Sequence, residues 1–455
     1  VALSKQNALE AARNLLNGPR AAEAERLDRI AKAMRPLGEF DAPQVEIPSD
    51  APAAMTSLAR KASTNFLPLV VDTFSQVMKV DGYYTPGSPD HAAAWEHWLR
   101  NRMGARQTGI HRAALQYGAA YTVCLPGDPG PTMRGVSPRQ MTAVYQDPAH
   151  DEWPMLAIEV GHDFVLLYDE ERRYRFGIEK SALRSGMAPA YSTAWNTHQM
   201  VYVDSEAHDV GVCPVVRYRD RMLLDGEEQF GIVEPLLRIQ ERIDETTFGM
   251  LVTQYFQAFR QRYIIGWVPE SEQDYLKATA SDVWTFDDET VKVGELGAAD
   301  PKGYIESKAS AIRDLSAIGQ VPAQNLGVDG ISNISDATLA GLETGKDRKA
   351  DEITTSFGES HEQALRLCAH IAGNEQAAND YTGEVRWKDS TARSFAQTVD
   401  GLGKLAQMLG IPQELLWEDI PGWTQQKIER AKELRASGDA LGALGTLLDQ
   451  QASDL

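Results

Sequence analysis

Ile318-Gly319-Gln320-Val321-Pro322 reads as a helix end followed by a breaker, and a polar, glycine-bearing run comes next: Asn325-Leu326-Gly327-Val328-Asp329-Gly330-Ile331-Ser332-Asn333. From Ser335 to about Gly373 the pattern is that of one long helix. Ala350, Ile353, Phe357, Ala364, Cys368 and Ile371 recur at spacings of threes, fours and sevens, which is the helical period. About thirty-five residues of helix span ~50 Å, roughly three times the usual globular length. The rest of the chain has to explain a glycine-jointed loop set directly before such a helix.

Working outward, Lys302 to Ala317 reads as a helix that runs into the loop. Upstream of it, residues 270–300 form a short acidic excursion of a helix and a strand or two, with Trp284, Phe286, Asp287, Asp288 and Glu289, then Val291 and Val293. Ile264 to Pro269 reads as a strand that ends an earlier helix. That helix begins near Val233, with Pro235 suited to its first turn. It carries the stripe Leu236, Ile239, Ile243, Thr247, Met250 and Leu251 on to Tyr255 and Phe259. The middle of the chain is therefore helix, compact acidic excursion, helix, loop, long helix.

The first part of the chain changes texture partway. Residues 4–36 predict one or two helices with Ala8, Leu9, Ala12, Leu15 and Leu16 on an apolar face, closed by Pro36 and an extended linker to Pro52. A second helical run covers Ala59 to Val80, starting at Pro68, with Asp81-Gly82 as a turn; helices follow over His91–Arg102 and Arg106–Gly118. Short β-rich runs come next at Tyr121–Leu125, Met141–Tyr145, Met155–Val160, Phe164–Tyr168, Tyr174–Ile178 and Cys213–Tyr218, separated by turn signals. Helices followed by antiparallel strands predict an α+β, mostly helical fold. Glu384-Val385-Arg386-Trp387 reads as a late strand, and residues 394–455 as helices broken at Gly410-Ile411-Pro412 and Ile420-Pro421-Gly422.

The chain has 455 residues, 43% hydrophobic and 24% charged, an ordinary globular mix with room for about three domains. No run of 18 or more apolar residues occurs, so no membrane span is expected, and the first 36 residues lack the apolar core of a signal peptide. Three well-separated cysteines, Cys124, Cys213 and Cys368, argue against a disulfide framework or a cysteine-based zinc site. The net charge of -20 argues against tight static binding to DNA or RNA, which needs Lys and Arg on the phosphates. It fits either simple solubility or a surface that must sit beside nucleic acid without sticking, and composition does not choose.

No catalytic constellation emerges. Gly341-Leu342-Glu343-Thr344-Gly345-Lys346-Asp347 resembles a phosphate loop, but three residues rather than four separate its glycines, Asp347 replaces the magnesium-holding hydroxyl, and the run lies within a helical pattern. His361 and His370 are nine apart on a helix and cannot share a metal, so packed or solvated histidines are expected. Asp287-Asp288-Glu289 is read as a solvated turn over a divalent-ion site. No cofactor is called for. The basic residues of the central helices, such as Arg238, Arg242, Lys302 and Lys346, have acidic neighbours three or four away, which predicts local ion pairs for most of them.

This order of parts resembles the portal protein of tailed bacteriophages of the siphovirus type, over nearly the whole chain. The matches are local. Asn65–Val80 with Gly82-Tyr83-Tyr84 resembles the family's early helix and its exit, and Gly118–Val123 the helix-to-strand step. Cys213-Pro214-Val215-Val216 resembles the strand before the stem, although Arg217-Tyr218-Arg219 stands where an Asn-rich turn is common. Ile411-Pro412-Gln413-Glu414 and Ile420-Pro421-Gly422-Trp423-Thr424 resemble the helical connections of the crown.

The resemblance implies a wing over residues 1–232, a first stem helix over 233–265, a clip over 266–300 and a second stem helix over 301–318. It further implies a tunnel loop over 319–335, a long tunnel helix returning to the wing over 336–393, and a crown over 394–455. It implies a non-enzymatic ring of about twelve copies at one capsid vertex of the virion, assembled in the host cytoplasm. Double-stranded DNA would pass through the ring. The terminase large subunit, head-completion or adaptor proteins, the major capsid protein and the scaffolding protein would be its partners. Asn325 to Asn333 would face DNA, Trp284, Phe286, Asp287, Asp288 and Glu289 would dock partners, and Ile243, Met250, Ile353, Phe357 and Ala364 would pack neighbouring subunits. The competing readings are a packaging enzyme, a terminase-like ATPase or nuclease, and a helical scaffold or adaptor that forms no channel.

Overall fold

The computed structural model of the chain describes residues 2–36, 45–85, 91–178, 200–224, 230–258, 262–266, 291–295, 300–328, 336–388, 395–420, 423, 426–435 and 437. In chain order its elements run α1 (Lys5–Asn17), α2 (Pro19–Met34), α3 (Ala53–Ala62), α4 (Leu67–Ser75), β1 (Val80–Tyr84), α5 (His91–Arg100), α6 (Met103–Tyr117), β2 (Ala119–Leu125), β3 (Thr132–Val136) and β4 (Met141–Val144). They continue with β5 (Leu156–Val160), β6 (Phe164–Tyr168), β7 (Arg172–Ile178), β8 (Met200–Ala207), β9 (Val215–Arg219), α7 (Leu237–Ala258), β10 (Arg262–Ile265) and β11 (Lys292–Glu295). The last are α8 (Lys302–Gly319), α9 (Asp336–Ile371), α10 (Glu375–Ala378), β12 (Glu384–Trp387), α11 (Phe395–Leu409) and α12 (Gln413–Leu416). The fold is α+β and mostly helical. It divides into two compact units, one of Val1–Ala33, Pro68–Pro235 and Asp336–Leu455, the other of Met34–Leu67 and Leu236–Ser335.

In the first unit α1 starts at Ser4, whose hydroxyl accepts from the Asn7 N–H at 3.2 Å and so satisfies one of the helix's orphan donors. Its Ala8, Ala12, Leu15 and Leu16 bury against Ile158, Val160, Val165, Leu167, Tyr174 and Phe176 of the antiparallel sheet β4-β5-β6-β7-β8. A second, three-stranded sheet has the order β3-β2-β9, and its Tyr121, Val123, Val136 and Val215 share a core with Met141, Ala157 and Tyr168 of the larger sheet. Arg134 crosses to Glu159 in a two-pronged pair at 2.7 and 2.6 Å, and the Tyr168 hydroxyl donates to the same carboxylate at 2.9 Å. That satisfies a carboxylate which is only 4% exposed. The run Ala119 to Cys124 of β2 is buried throughout, because the second side of its sheet is covered by α9: the Cys124 thiol reaches the Ala364 carbonyl at 4.0 Å.

The second unit is built on α7 and α8, with α3 beside α7. Gln240 and Asp244 of α7 fix the chain that follows α3: Thr64 N–H donates to Asp244 Oδ1 at 3.0 Å, Phe66 N–H to Gln240 Oε1 at 3.0 Å, and Gln240 Nε2 to Thr64 O at 2.9 Å. Residues 34–67 therefore group with the helical unit, whereas the sequence reading had put them with the first 232 residues.

Two local expectations are corrected. The run Ala59–Val80 is two helices and the start of a strand, and Asp81-Gly82 is not a turn but part of β1, which pairs antiparallel with β12 from Val80↔Trp387 to Tyr84↔Glu384. A register shift between Val80 and Gly82 absorbs the irregularity that reads as a turn signal. The larger correction concerns the packing residues. Ile243, Ile353, Phe357 and Ala364 are at most 2% exposed within the single chain, so they belong to its own core and leave nothing for a neighbouring subunit to cover. Met250 stays half-buried and available.

Candidate functional site

The helix pair α7 and α8 runs antiparallel, as two cross-links show. Arg242 pairs with Asp314, and Gly249 lies against Tyr304, whose ring would stand 2.9 Å from an added Cβ. With 22 and 18 residues the helices reach about 33 and 27 Å. Beyond them β10 and β11 pair from Arg262↔Glu295 to Ile265↔Lys292. The chain between Ile265 and Lys292 therefore begins and ends at this two-stranded ladder. Trp284, Phe286, Asp287, Asp288 and Glu289 fall in that excursion, outside the described residues. The pair also shows apolar surface: Phe256, Ile305 and Ile318 are each about half exposed.

The start of the loop is anchored. Gln320 takes a left-handed conformation at φ 55° and caps α8, Val321 N–H donates to Ser316 O at 3.1 Å, and Ser316 Oγ donates to Val321 O at 2.7 Å. A single 3-10 turn follows over Ala323–Leu326 and closes at Gly327, φ 78°, a conformation glycine adopts without a side-chain clash. Val321 and Leu326 are buried. Leu326 is thus packed into this turn while Asn325 stands exposed on it, and Val328 is where the chain leaves the turn. Asp329, Gly330, Ile331, Ser332 and Asn333 lie outside the described residues.

The long helix α9 has 36 residues, about 54 Å, and its two halves differ. From Ala350 onward it is the spine of the first unit, with Ile353, Phe357, Ala364, Leu365, Leu367 and Cys368 all buried. Between Gly341 and Lys349 most of the described residues are exposed, and nothing stands within 4 Å of a Cβ added at Gly341 or Gly345. Lys346 pairs with Glu343 at 3.3 Å and Asp347 at 3.6 Å. The look-alike phosphate loop therefore sits mid-helix, with its lysine already occupied. The ion pairs Arg238–Glu241, Lys302–Glu306 and Arg242–Asp314 account for other basic residues of the central helices.

Sequence reading missed the polar centre of that spine, because its members are far apart in the chain. His111 on α6 and His361 on α9 face each other at 2.8 Å, Nε2 to Nε2, both fully buried. The tautomers follow from the ends of the chain of bonds. Met78 O can only accept, so His111 Nδ1 carries a proton and donates to it at 3.2 Å. The neutral ring then accepts at Nε2 from His361 Nε2–H. His361 Nδ1 in turn accepts from the Tyr218 hydroxyl at 3.0 Å. Phe357 stacks on His111 at 5.0 Å, and Trp98 stands edge-on to His361 at 5.0 Å. Burial pushes the proton affinity of His111 down to about 4, and that of His361 well below its ordinary value, with His111 beside it adding to the effect. This is a closed chain of three hydrogen bonds between neutral groups, suited to fixing α6, α9 and β9 against each other. Among the described residues no cluster of His, Cys, Asp or Glu could hold a metal ion, and no helix is long and apolar enough to cross a membrane.

Comparison with known proteins places the chain. No curated protein matches it. Among solved structures it is similar to a chain from the virion of a native gene transfer agent particle, at 15% identity and a TM-score of 0.45, covering 81% of this chain and 96% of that one. It is similar at 14% identity to a chain in the neck of the empty gene transfer agent particle computed with C6 symmetry, with a TM-score of 0.45 and coverage of 81% and 96%. A chain in the neck of the native particle computed with C12 symmetry gives 14% identity, a TM-score of 0.43 and coverage of 81% and 92%. The family model for the phage portal protein, SPP1 Gp6-like, matches residues 20–439, and the chain belongs to that family.

Proposed function

We propose that this chain is the subunit of a ring of about twelve copies at one capsid vertex, through which double-stranded DNA is packaged and later ejected. The observation that carries the reading is the family match over residues 20–439. In this reading α7 and α8 form the stem of the channel. The excursion of residues 266–291 is the clip, which docks the terminase large subunit during packaging and head-completion proteins afterwards. The exposed half of α9 is a spoke that carries the loop inward, and residues 328–335 are its DNA-facing tip. Two physical features support it. The stem pair exposes Phe256, Ile305 and Ile318, and neighbouring subunits would cover them. The net charge of -20 suits a wall along which DNA slides, since fixed cationic contacts would hold the phosphates.

The test is to shorten the loop between Val328 and Asp336, leaving the packed turn at Ala323–Leu326 untouched. Rings should form normally, and packaging or DNA retention should fall. If the shortened chain fails to assemble at all, the loop is a structural element and its role at the channel is refuted.

A further inference from the structure

From Thr398 to Leu409 not one residue of α11 is buried, although the helix carries an apolar stripe. Val399, Leu402, Ala406 and Leu409 follow at steps of three, four and three, the spacing of a seam that packs against another helix. Leu405 and Met408 widen it. Met408 and Leu409 are 80% and 69% exposed, and Leu415, just past the helix end, is exposed as well. Asp400 and Lys404 stand on the far side of the helix and pair with each other at 2.6 Å.

Such a helix does not stand alone in water. It has 15 residues, and Gly401 and Gly403 inside it weaken it relative to alanine. Helices of this length hold only when a face is packed, and nothing stands within 4 Å of a Cβ added at either glycine. The stripe therefore calls for a cover. Its one acid and one base satisfy each other, so charge selects neither an acidic nor a basic partner. The cover has to be apolar and uncharged, and it has to be at hand.

One segment of the chain meets all three demands. Between Asp439 and Asp449 run Ala440-Leu441-Gly442-Ala443-Leu444-Gly445-Thr446-Leu447-Leu448, without a charge, and Leu441, Leu444 and Leu448 repeat the steps of three and four. The segment lies outside the described residues and beyond residue 439, where the family match ends. Its tether is fixed close to the stripe. Arg435 pairs with Glu414 of α12 at 2.5 Å and lies over the Trp417 ring at 5.9 Å. Five residues lead from Arg435 to Ala440 and five from Leu409 to Glu414, each a reach of at most ~17 Å. A segment tied this closely meets the stripe at an effective concentration of about millimolar. We propose that residues 440–448 lie along the Val399–Leu409 stripe of α11 in the same chain and cap it. The cap hides an adhesive face of the subunit, and it stands or falls independently of the ring.

The experiment places the photo-crosslinker p-benzoylphenylalanine at Leu447 of the full chain, beside the leucines of the cap. Light and nitrogen-15-labelled chains are mixed, irradiated and digested, and crosslinked peptides are read by mass spectrometry. The expected result is crosslinks to the Val399–Leu409 peptide in which both halves carry the same label. Their yield should fall by about tenfold in Leu402→Asp, and as much in Leu441→Asp, since each sets a charge into an apolar contact. The second variant leaves α11 untouched and so reads the contact even if the first unwinds the helix. Removing residues 440–455 should raise binding of the apolar dye anilinonaphthalene sulfonate several-fold. Mixed-label crosslinks to α11 would make a neighbouring copy the cover and overturn the cap. Crosslinks only to other parts of the chain, no crosslinks, a yield indifferent to Leu441→Asp, or unchanged dye binding likewise overturn it.

Discussion

Phe357→Ala separates two roles that the long helix could have. If the apolar stripe of α9 were a subunit interface, truncation would weaken assembly and spare the isolated chain. The structure predicts the reverse. Phe357 is 0% exposed in the single chain, stacks on His111 at 5.0 Å with the planes 20° apart, and meets Tyr218 edge-on at 6.2 Å. Removing a buried phenylalanine ring costs about 3–5 kcal/mol, with the upper part of that range applying where the surroundings cannot collapse. Here they are held by the hydrogen-bond chain from Met78 through both histidines to Tyr218, so about 4 kcal/mol is expected. In a unit of this size that lowers the melting temperature by roughly 6 °C. Thermal and urea unfolding should be followed by circular dichroism over about a hundredfold range of concentration, because a loss confined to the subunit core is independent of concentration and a loss at an interface is not. A variant within about 1 kcal/mol of the parent as a monomer, yet defective in assembly, would refute the reasoning.

The buried histidines make stability fall on acidification. The unfolded chain takes up protons from about pH 6.5 downward, whereas His111 stays neutral until about pH 4. Its contribution is complete above 6.5 and is lost as pH falls through that window, about 3 kcal/mol for His111, with His361 adding in the same direction. His111→Gln should flatten the slope between pH 6.5 and 4, and equal slopes in parent and variant would contradict the buried neutral pair. Glu159→Gln should cost about 2 kcal/mol in urea titrations, since Arg134 loses its two-pronged partner but is half-exposed and regains water. Arg134→Met in the same background should recover part of that loss, as a cycle between contacting residues requires. Gly231→Ala should cost about 1–3 kcal/mol, because its new Cβ would stand 2.3 Å from the Leu115 carbonyl, which already accepts from Ile232 N–H. An unchanged melting temperature would show that this approach can relax freely.

What the sequence could reveal followed the range of the forces involved. The long helix, the helix pair before it and most of the strands were legible, because periodicity is a local signal that each segment carries by itself. The strand β1 was not, because its Asp81-Gly82 looks like a turn until β12, some three hundred residues away, pairs with it. Strands β3 and β8 were also missed: Arg134 and Gly135 interrupt one, and Asp204 to Glu206 end the other in polar residues. The stripe of Ile353, Phe357 and Ala364 was visible, but a stripe states only that something covers it, and the cover proved to be the chain's own β2, β9 and α6. The His111–His361 pair spans 250 positions, so no spacing rule could have found it. The arginines of β9 were noticed as a departure from the family pattern, although their place on the wall of one cavity needed the coordinates.

The central claim is that copies of this chain close into a ring around an opening, with the exposed half of α9 directed inward. Electron microscopy of the purified chain, carrying a gold label on a cysteine introduced at Val328, tests both parts in one image. The account predicts rings with a central hole and label density at its edge. Monomers or dimers at every concentration, or rings with the label at the outer rim, would contradict it.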